Sequence, residues 1–257
     1  MIKKFFKAAV KVFKEEGIKS FFSKAFSFIK RKAYLSLPTN LKVLFAYNVK
    51  NFKSKNIDKV IDYSFYGLGG VFRPMQIREE FKKFLQLYVE KSPKVILEIG
   101  TANGGSLFTL CKLAQDDATI ISVDLPDTEF GGGYYKWKVL VYNLFKKGNQ
   151  NLFLLHEDSH LPATVTKVKE ILKGKEIDFL FIDGDHSYEG VKSDFEMFSP
   201  LVKKGGTVCF HDIAPNGLEW CAGKVSVFWK EIKNNYKHVE FVQDENQEGW
   251  GIGCLFL

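Results

Sequence analysis

Val95-Ile96-Leu97-Glu98-Ile99-Gly100-Thr101-Ala102-Asn103-Gly104-Gly105-Ser106 decides the fold. A short apolar run stops at a glycine, and the glycine-rich turn leads into a segment with helical spacing from about 105 to 115. A strand without a polar face, followed at once by a helix, is the unit of a parallel sheet covered on both sides. The same unit recurs downstream. Thr119-Ile120-Ile121-Ser122-Val123 ends in Asp124, and a helix is expected over 134–147 after the glycines at 131–133. Leu152–Leu155 precedes a helix at 162–173, and Asp178-Phe179-Leu180-Phe181-Ile182 precedes one at 188–202. A strand at 207–211 completes the alternation.

Upstream, a helix is expected over about 76–90, while 39–75 reads as irregular, punctuated by Gly67, Gly69, Gly70 and Pro74. At the other end, two strands near 238–243 and 250–256 flank a short polar loop and read as a hairpin. The expectation is an α/β fold of Rossmann-like, doubly wound type. Its mostly parallel sheet of seven strands ends in a C-terminal antiparallel hairpin. Three segments follow: a basic amphipathic helical extension (1–37), an irregular linker or cap (38–75) and the α/β domain (76–257).

In open α/β sheets, ligands sit beyond the carboxyl ends of the strands. The turn after the first strand lacks the GxGxxG of dinucleotide enzymes, because Ala102 fills the second glycine slot. Asp124 lies 24 residues beyond Gly100, about the separation at which an acidic side chain bonds ribose hydroxyls. Together they indicate an adenosine-bearing ligand. The fourth strand ends in Asp183-Gly184-Asp185-His186-Ser187-Tyr188 and the fifth in His211-Asp212. Two readings stay open there. One is an oxygen-rich divalent cation site, suited to Mg²⁺, Mn²⁺ or Ca²⁺ rather than zinc. The other is a helix cap at Asp183 with a loop hydrogen bond at His211-Asp212. His156, His160 and His238 read as ordinary surface or core histidines. Trp220, Trp229 and Trp250 read as packing. The Phe130–Tyr135 segment and Trp137 read equally as a lid or as a loop with core aromatics.

Residues 95–213 resemble class I S-adenosylmethionine-dependent methyltransferases, in the branch of the metal-dependent and macrocin-type sugar O-methyltransferases. Glu98–Ser106 is similar to that family's ExGxxxGxS loop. Phe181–Tyr188 is similar to the stretch bearing its metal-binding aspartate. Lys204-Gly205-Gly206 and His211-Asp212 are similar to the turn and strand holding the other ligands. The resemblance implies that Glu98, Gly100, Thr101, Asn103, Gly104 and Ser106 hold the methionine end of the cofactor, Asp124 the ribose and Asp158 the adenine. Asp183, His211 and Asp212 would hold a divalent metal, Mg²⁺ or Mn²⁺. The family usually shows Asp-Asn where this chain has His211-Asp212, and a lysine base where it has His186. His186 would then be the catalytic base, since an imidazole of ordinary pKa accepts protons at neutral pH. The implied activity is O-methylation of a sugar or another small hydroxylated acceptor. A non-catalytic binding module and a nucleotide-using Rossmann enzyme are the alternatives.

Composition sets the surroundings. The 257 residues carry a formal +7, but residues 1–60 alone carry +12 and the remainder −5. Nine of the 25 phenylalanines lie in that basic head. Within it, Ile2, Phe5, Phe6, Ala9, Val10 and Phe13, then Ile18, Phe21, Phe22, Ala25, Phe26 and Ile29, form two apolar stripes beside lysines. Such helices lie on anionic lipid, dock on a partner or pack on their own domain; residues 1–34 are the candidate membrane surface. Only three basic residues are arginine, so nucleic acid is not an expected partner. No run reaches the roughly 18 apolar residues of a spanning helix, and no secretory leader is expected. The four cysteines are scattered without a CxxC, which argues for a reducing compartment and against structural zinc. The expected location is cytoplasmic, peripheral on the inner face of the membrane. The sequence leaves a homo-oligomer open.

Overall fold

A computed structural model describes residues 46–125, 136–215, 223–244 and 246–257. The basic head, the Phe130–Tyr135 segment, Trp220 and Cys221 lie outside those residues. Val49–Leu257 forms one compact unit, which contains the sheet.

The elements of that unit are α1 (Ile57–Tyr66), α2 (Arg78–Lys91), β1 (Val95–Ile99), α3 (Gly105–Leu113), β2 (Thr119–Asp124), α4 (Lys136–Tyr142), β3 (Asn151–His156), α5 (Pro162–Leu172), β4 (Ile177–Ile182), α6 (Tyr188–Phe198), β5 (Val202–His211), α7 (Val225–Ile232), β6 (Lys237–Phe241) and β7 (Ile252–Phe256). The strands form one seven-stranded sheet in the order β3-β2-β1-β4-β5-β7-β6. The first five are parallel, while β7 runs antiparallel to both β5 and β6. This is the expected doubly wound α/β sheet. Its order reverses between β1 and β4, which sets the ligand crevice at their carboxyl ends.

Burial explains the arrangement. β1 is buried at all five positions, because helices cover both faces of a central parallel strand. Leu97, Ile99, Ile121, Leu180 and Phe210 join the helix residues Val168, Val191, Phe198 and Trp229 in one core cluster. β3 departs from the expected pattern: as an edge strand it leaves Asn151, Phe153 and His156 exposed.

Several boundaries are corrected. The stretch 39–75 is not irregular throughout, since α1 lies within it. Asn56 caps α1 by accepting from Lys59 N at 3.0 Å, and Val60, Ile61, Ser64 and Phe65 form its buried face. Ser64 Oγ donates to the Gly105 carbonyl at 3.1 Å, fastening α1 beside the glycine-rich turn. A helix absent from the sequence reading, α7, buries Val225, Phe228, Trp229 and Ile232. The helix expected over 134–147 is α4 alone, and α6 stops at Phe198 before a 3₁₀ turn. β5 begins at Val202 rather than 207, with a register slip between Ile177↔Val202 and Phe179↔Thr207.

Cys209 and Cys254 face each other across β5 and β7 and are joined in a disulfide, Cα–Cα 4.1 Å. Their 45-residue separation gave no sign of the pairing. Among the described residues, no helix is long and apolar enough to cross a membrane.

Candidate active site

The turn after β1 is built against the turn after β4. Gly100 has φ +85°, and a Cβ there would lie 2.0 Å from the Asp183 carbonyl oxygen, so only glycine fits. Asp183 N donates to Ile99 O at 2.8 Å, and Gly100 N donates to Val123 O at 2.9 Å. Three strand ends are thereby laced together at the switch point. Gly104, at φ +82°, starts α3 with the Tyr142 ring packed over its α-carbon, and Tyr142 Oη donates to Ala102 O at 3.2 Å.

Glu98 is fully buried at the floor of this turn. Its Oε2 accepts from Thr101 Oγ1 at 2.9 Å and Ser122 Oγ at 3.0 Å, while Oε1 has no hydrogen-bond partner. Burial pushes its pKa up to about 7, against the pull of the surrounding Ser106, Thr101 and Ser122 hydroxyls. A buried carboxylate with a free oxygen is suited to a cationic donor such as an ammonium group. Asp124 Oδ2 accepts from Thr101 N and Ala102 N, both at 2.9 Å, and Oδ1 from Leu125 N at 2.7 Å. Its carboxylate therefore shapes the glycine loop. Asn103 reaches the Arg73 carbonyl at 3.4 Å, and Ser106 is buried in the first turn of α3. Asp158, beyond β3, keeps a half-exposed side chain.

The charged cluster lies on the β4 and β5 ends. Ser187, not Asp183, caps α6, accepting from Gly190 N at 2.9 Å. That leaves the Asp183 carboxylate turned inward. Its Oδ1 lies 3.0 Å from His211 Nδ1 and 3.5 Å from His186 Nε2. Asp212 Oδ2 lies 3.2 Å from His186 Nδ1 and 3.3 Å from His211 Nδ1. Burial works against the Asp183 charge, but His211 and His186 beside it hold its pKa at about 2. Burial likewise opposes a charged His211, yet Asp212 and Asp183 drive its pKa well above the usual imidazole range. Asp183, His186 and Asp212 offer ligand atoms all within 4.8 Å of one another. Two carboxylates and one imidazole are a donor set that fits Mg²⁺ or Mn²⁺. His186 stands in that group beside Asp183 and Asp212, while His211 pairs with both carboxylates and leaves its buried Nε2 without a hydrogen-bond partner.

Three contributors escaped the sequence reading. Gln76 Nε2 donates to Asp183 Oδ2 at 2.7 Å, and its buried Oε1 has no partner. Trp250, read as packing, is 42% exposed; its backbone N donates to Asp212 Oδ1 at 3.2 Å and its indole to Met75 O at 3.1 Å. Buried Glu80 accepts from Gln243 N at 2.9 Å and Gly251 N at 3.0 Å, fixing the loop that carries Trp250. No spacing rule could find these contacts, because Gln76 and Asp183 lie 107 residues apart. A separate hollow of about 670 Å³, lined by Lys94, Asp117, Asp178 and Lys203, lies at the opposite ends of the strands, away from this chemistry.

Residues 97–213, from β1 through the end of the charged cluster, match the sequence family described as a methyltransferase domain. That match covers 117 of the 257 residues, a little under half of the chain. Its sheet is similar to that of the O-methyltransferase from Bacillus cereus in complex with SAH, with a TM-score of 0.51 at 15% identity over 83% of this chain and 96% of the other. It is similar also to the O-methyltransferase TomG from Streptomyces achromogenes in complex with SAM, involved in tomaymycin synthesis, with a TM-score of 0.50 at 13% identity over 84% and 96%. At those identities the likeness is one of fold. Among curated proteins, the uncharacterized protein y4gI of Sinorhizobium fredii is 32% identical over 169 residues, 64% of this chain. The chain spans only 17% of the length of that relative. The methyltransferase domain ends its match at residue 213, so β6, β7 and Trp250 lie outside it.

Proposed function

We propose that this protein is an S-adenosylmethionine-dependent O-methyltransferase acting on a hydroxyl of a sugar or another small hydroxylated acceptor, assisted by a divalent cation. The observation that carries the reading is the contact of Gly100 with the Asp183 carbonyl, which sets a cofactor-type loop directly against the Asp183-His186-Asp212 cluster. S-adenosylmethionine supplies a methyl group on a sulfonium, and a divalent cation supplies the positive charge that eases deprotonation of a hydroxyl.

The residues of the chain do the rest. Glu98 Oε1 accepts the cofactor's ammonium, and the Gly100–Gly104 turn lets backbone approach the methionine end. Asp124, whose carboxylate accepts from Thr101 N, Ala102 N and Leu125 N, takes the ribose hydroxyls. Asp158 takes the adenine. Asp183 and Asp212 hold the cation, and Gln76 fixes the Asp183 oxygen that faces away from the imidazoles. His186 takes the acceptor's proton, its ring nitrogens lying beside Asp183 Oδ1 and Asp212 Oδ2. Its backbone is held from the other side by Lys224 N, which donates to His186 O at 2.7 Å.

A second role for His186 has its own support: it stands within the 4.8 Å ligand group. Titration with Mn²⁺ followed by electron paramagnetic resonance separates the two. His186→Ala retains Mn²⁺ binding but loses methyl transfer if His186 is the base; it loses both if His186 is a ligand. Calorimetry with S-adenosylhomocysteine against NAD tests the class. NAD binding without S-adenosylhomocysteine binding, or activity that survives exhaustive chelation, would overturn the corresponding part of the proposal. The basic head supports a reading in which the protein works at an anionic membrane surface. Salt-sensitive co-sedimentation of the full chain with phosphatidylglycerol vesicles tests it.

A further inference from the structure

His160 reads in the sequence as an ordinary surface or core histidine, but its environment is specific. Its Nε2 lies 3.5 Å from Oδ1 of Asp194, an α6 residue with no exposed surface. At that distance the contact is an ion pair rather than a well-aligned hydrogen bond, and both Asp194 oxygens are otherwise without hydrogen-bond partners. A buried carboxylate without compensation is strongly disfavoured, so the imidazolium is retained beside it. The other face of His160 addresses Asp158. Its Nδ1 lies 3.7 Å from Asp158 Oδ1, and its backbone N donates to that same oxygen at 2.9 Å. Thr164 Oγ1 donates to the Asp158 carbonyl at 2.5 Å. Asp158 Oδ1 is thus engaged from both the ring and the backbone of His160, which sets the direction of the other carboxylate oxygen. Asp194 also lies beneath the Asp183 turn, its Oδ2 3.4 Å from where a Cβ on Gly184 would stand.

We propose that His160, pinned to buried Asp194, is the positioning residue of the nucleobase subsite, orienting the Asp158 carboxylate to read the exocyclic amino group of adenine. The inference rests on the assignment of Asp158 to adenine. An ionised carboxylate accepts hydrogen bonds and donates none, so it favours the amino group of adenine and opposes the carbonyl of hypoxanthine at the same place. Without His160, Asp158 has no fixed direction and the distinction fades.

The test is calorimetry of the full chain with S-adenosylhomocysteine and S-inosylhomocysteine. The natural protein prefers the adenine ligand by roughly tenfold or more, the worth of one well-placed hydrogen bond. His160→Gln reduces that preference to within about threefold while Mn²⁺ affinity stays within about twofold. Because His160→Gln leaves Asp194 buried without a cation, the double variant His160→Gln/Asp194→Asn provides a second measurement with the buried charge removed. It folds, binds S-adenosylhomocysteine, and still lacks the preference. Full preference in either variant overturns the role of His160. Equal binding of both ligands by the natural protein overturns instead the assignment of Asp158, and absence of S-adenosylhomocysteine binding overturns the methyltransferase reading itself.

Discussion

The α-carbon of Gly100 rests on the carbonyl of Asp183, leaving no room for a side chain between the two turns. Gly100→Ala therefore forces β1 and β4 apart at their carboxyl ends and strains a residue with positive φ. The expected cost is about 2–4 kcal/mol of stability. S-adenosylhomocysteine and Mn²⁺ affinities fall together. Thermal melts and calorimetry check this; loss of only one affinity would show that the turns act independently.

Glu98 gives a pH signature. Its pKa in the folded protein, about 7, is raised by burial above the unfolded value, so the folded state holds its proton more tightly. Ionisation of Glu98 then costs stability as pH rises from about 4.5 to 7. A ligand bearing an ammonium favours the ionised form. S-adenosylhomocysteine should bind more weakly below pH 7 and release a proton on binding there, read as a dependence of the calorimetric heat on buffer ionisation enthalpy. Glu98→Gln should bind weakly at every pH.

Asp183→Asn removes one carboxylate from the cation cluster but keeps its shape and its place beside Gln76. Mn²⁺ affinity should drop at least tenfold, the scale on which even supporting groups of metal sites act. S-adenosylhomocysteine affinity should change little. Equal losses in both would mean that the substitution disturbs the turn rather than the donor set.

Glu80→Ala removes a buried acceptor of two backbone N–H groups, Gln243 and Gly251. About 2 kcal/mol of stability should be lost, since two charge-assisted bonds go and the buried Gly251 N is left unpaired, while Gln243 N keeps Gln247 Oε1 at 2.9 Å. The loop bearing Trp250 loosens, and indole fluorescence shifts to the red before global unfolding begins.

His160 makes stability depend on alkaline pH. Asp194 foremost, then Asp158 and Asp185, raises its pKa to about 9 against the effect of burial. The stabilisation is fully present below about pH 6.5 and is lost as pH rises through 9. Urea unfolding from pH 6 to 10 should show this decline, and the His160→Gln/Asp194→Asn variant should lack it.

The parallel half of the sheet was legible because each central strand is an apolar run ended by a glycine or an aspartate, with a helix after it. The site residues at those strand ends were legible for the same reason: Glu98, Asp124 and Asp183 all end strands or begin turns. Segments whose structure depends on packing were harder. The glycines at 67–70 drew 39–75 toward an irregular reading, although Val60, Ile61, Ser64 and Phe65 already had helical spacing. In α7, the spacing of Val225, Phe228, Trp229 and Ile232 was equally present but lay between stronger signals. Gln76, Glu80 and Trp250 carry no local signature at all, because their partners lie in turns far away in the sequence. The histidines show the same limit. The resemblance gave His211 to the cation and His186 to the proton; the fold draws both imidazoles onto Asp183 and Asp212, with His186 in the compact ligand group.

The insertion of β7 between β5 and β6 has a consequence for how the chain is made. During synthesis β6 emerges before β7, which among the described residues attaches it to the sheet, and β5 stays an open edge through the same interval. The parallel half can assemble on the ribosome, but its border cannot be sealed until Ile252–Phe256 has left the exit tunnel. A released chain truncated between residues 241 and 252 should therefore be sticky and protease-sensitive at β5, a vulnerability that vanishes once Ile252–Phe256 pairs beside it.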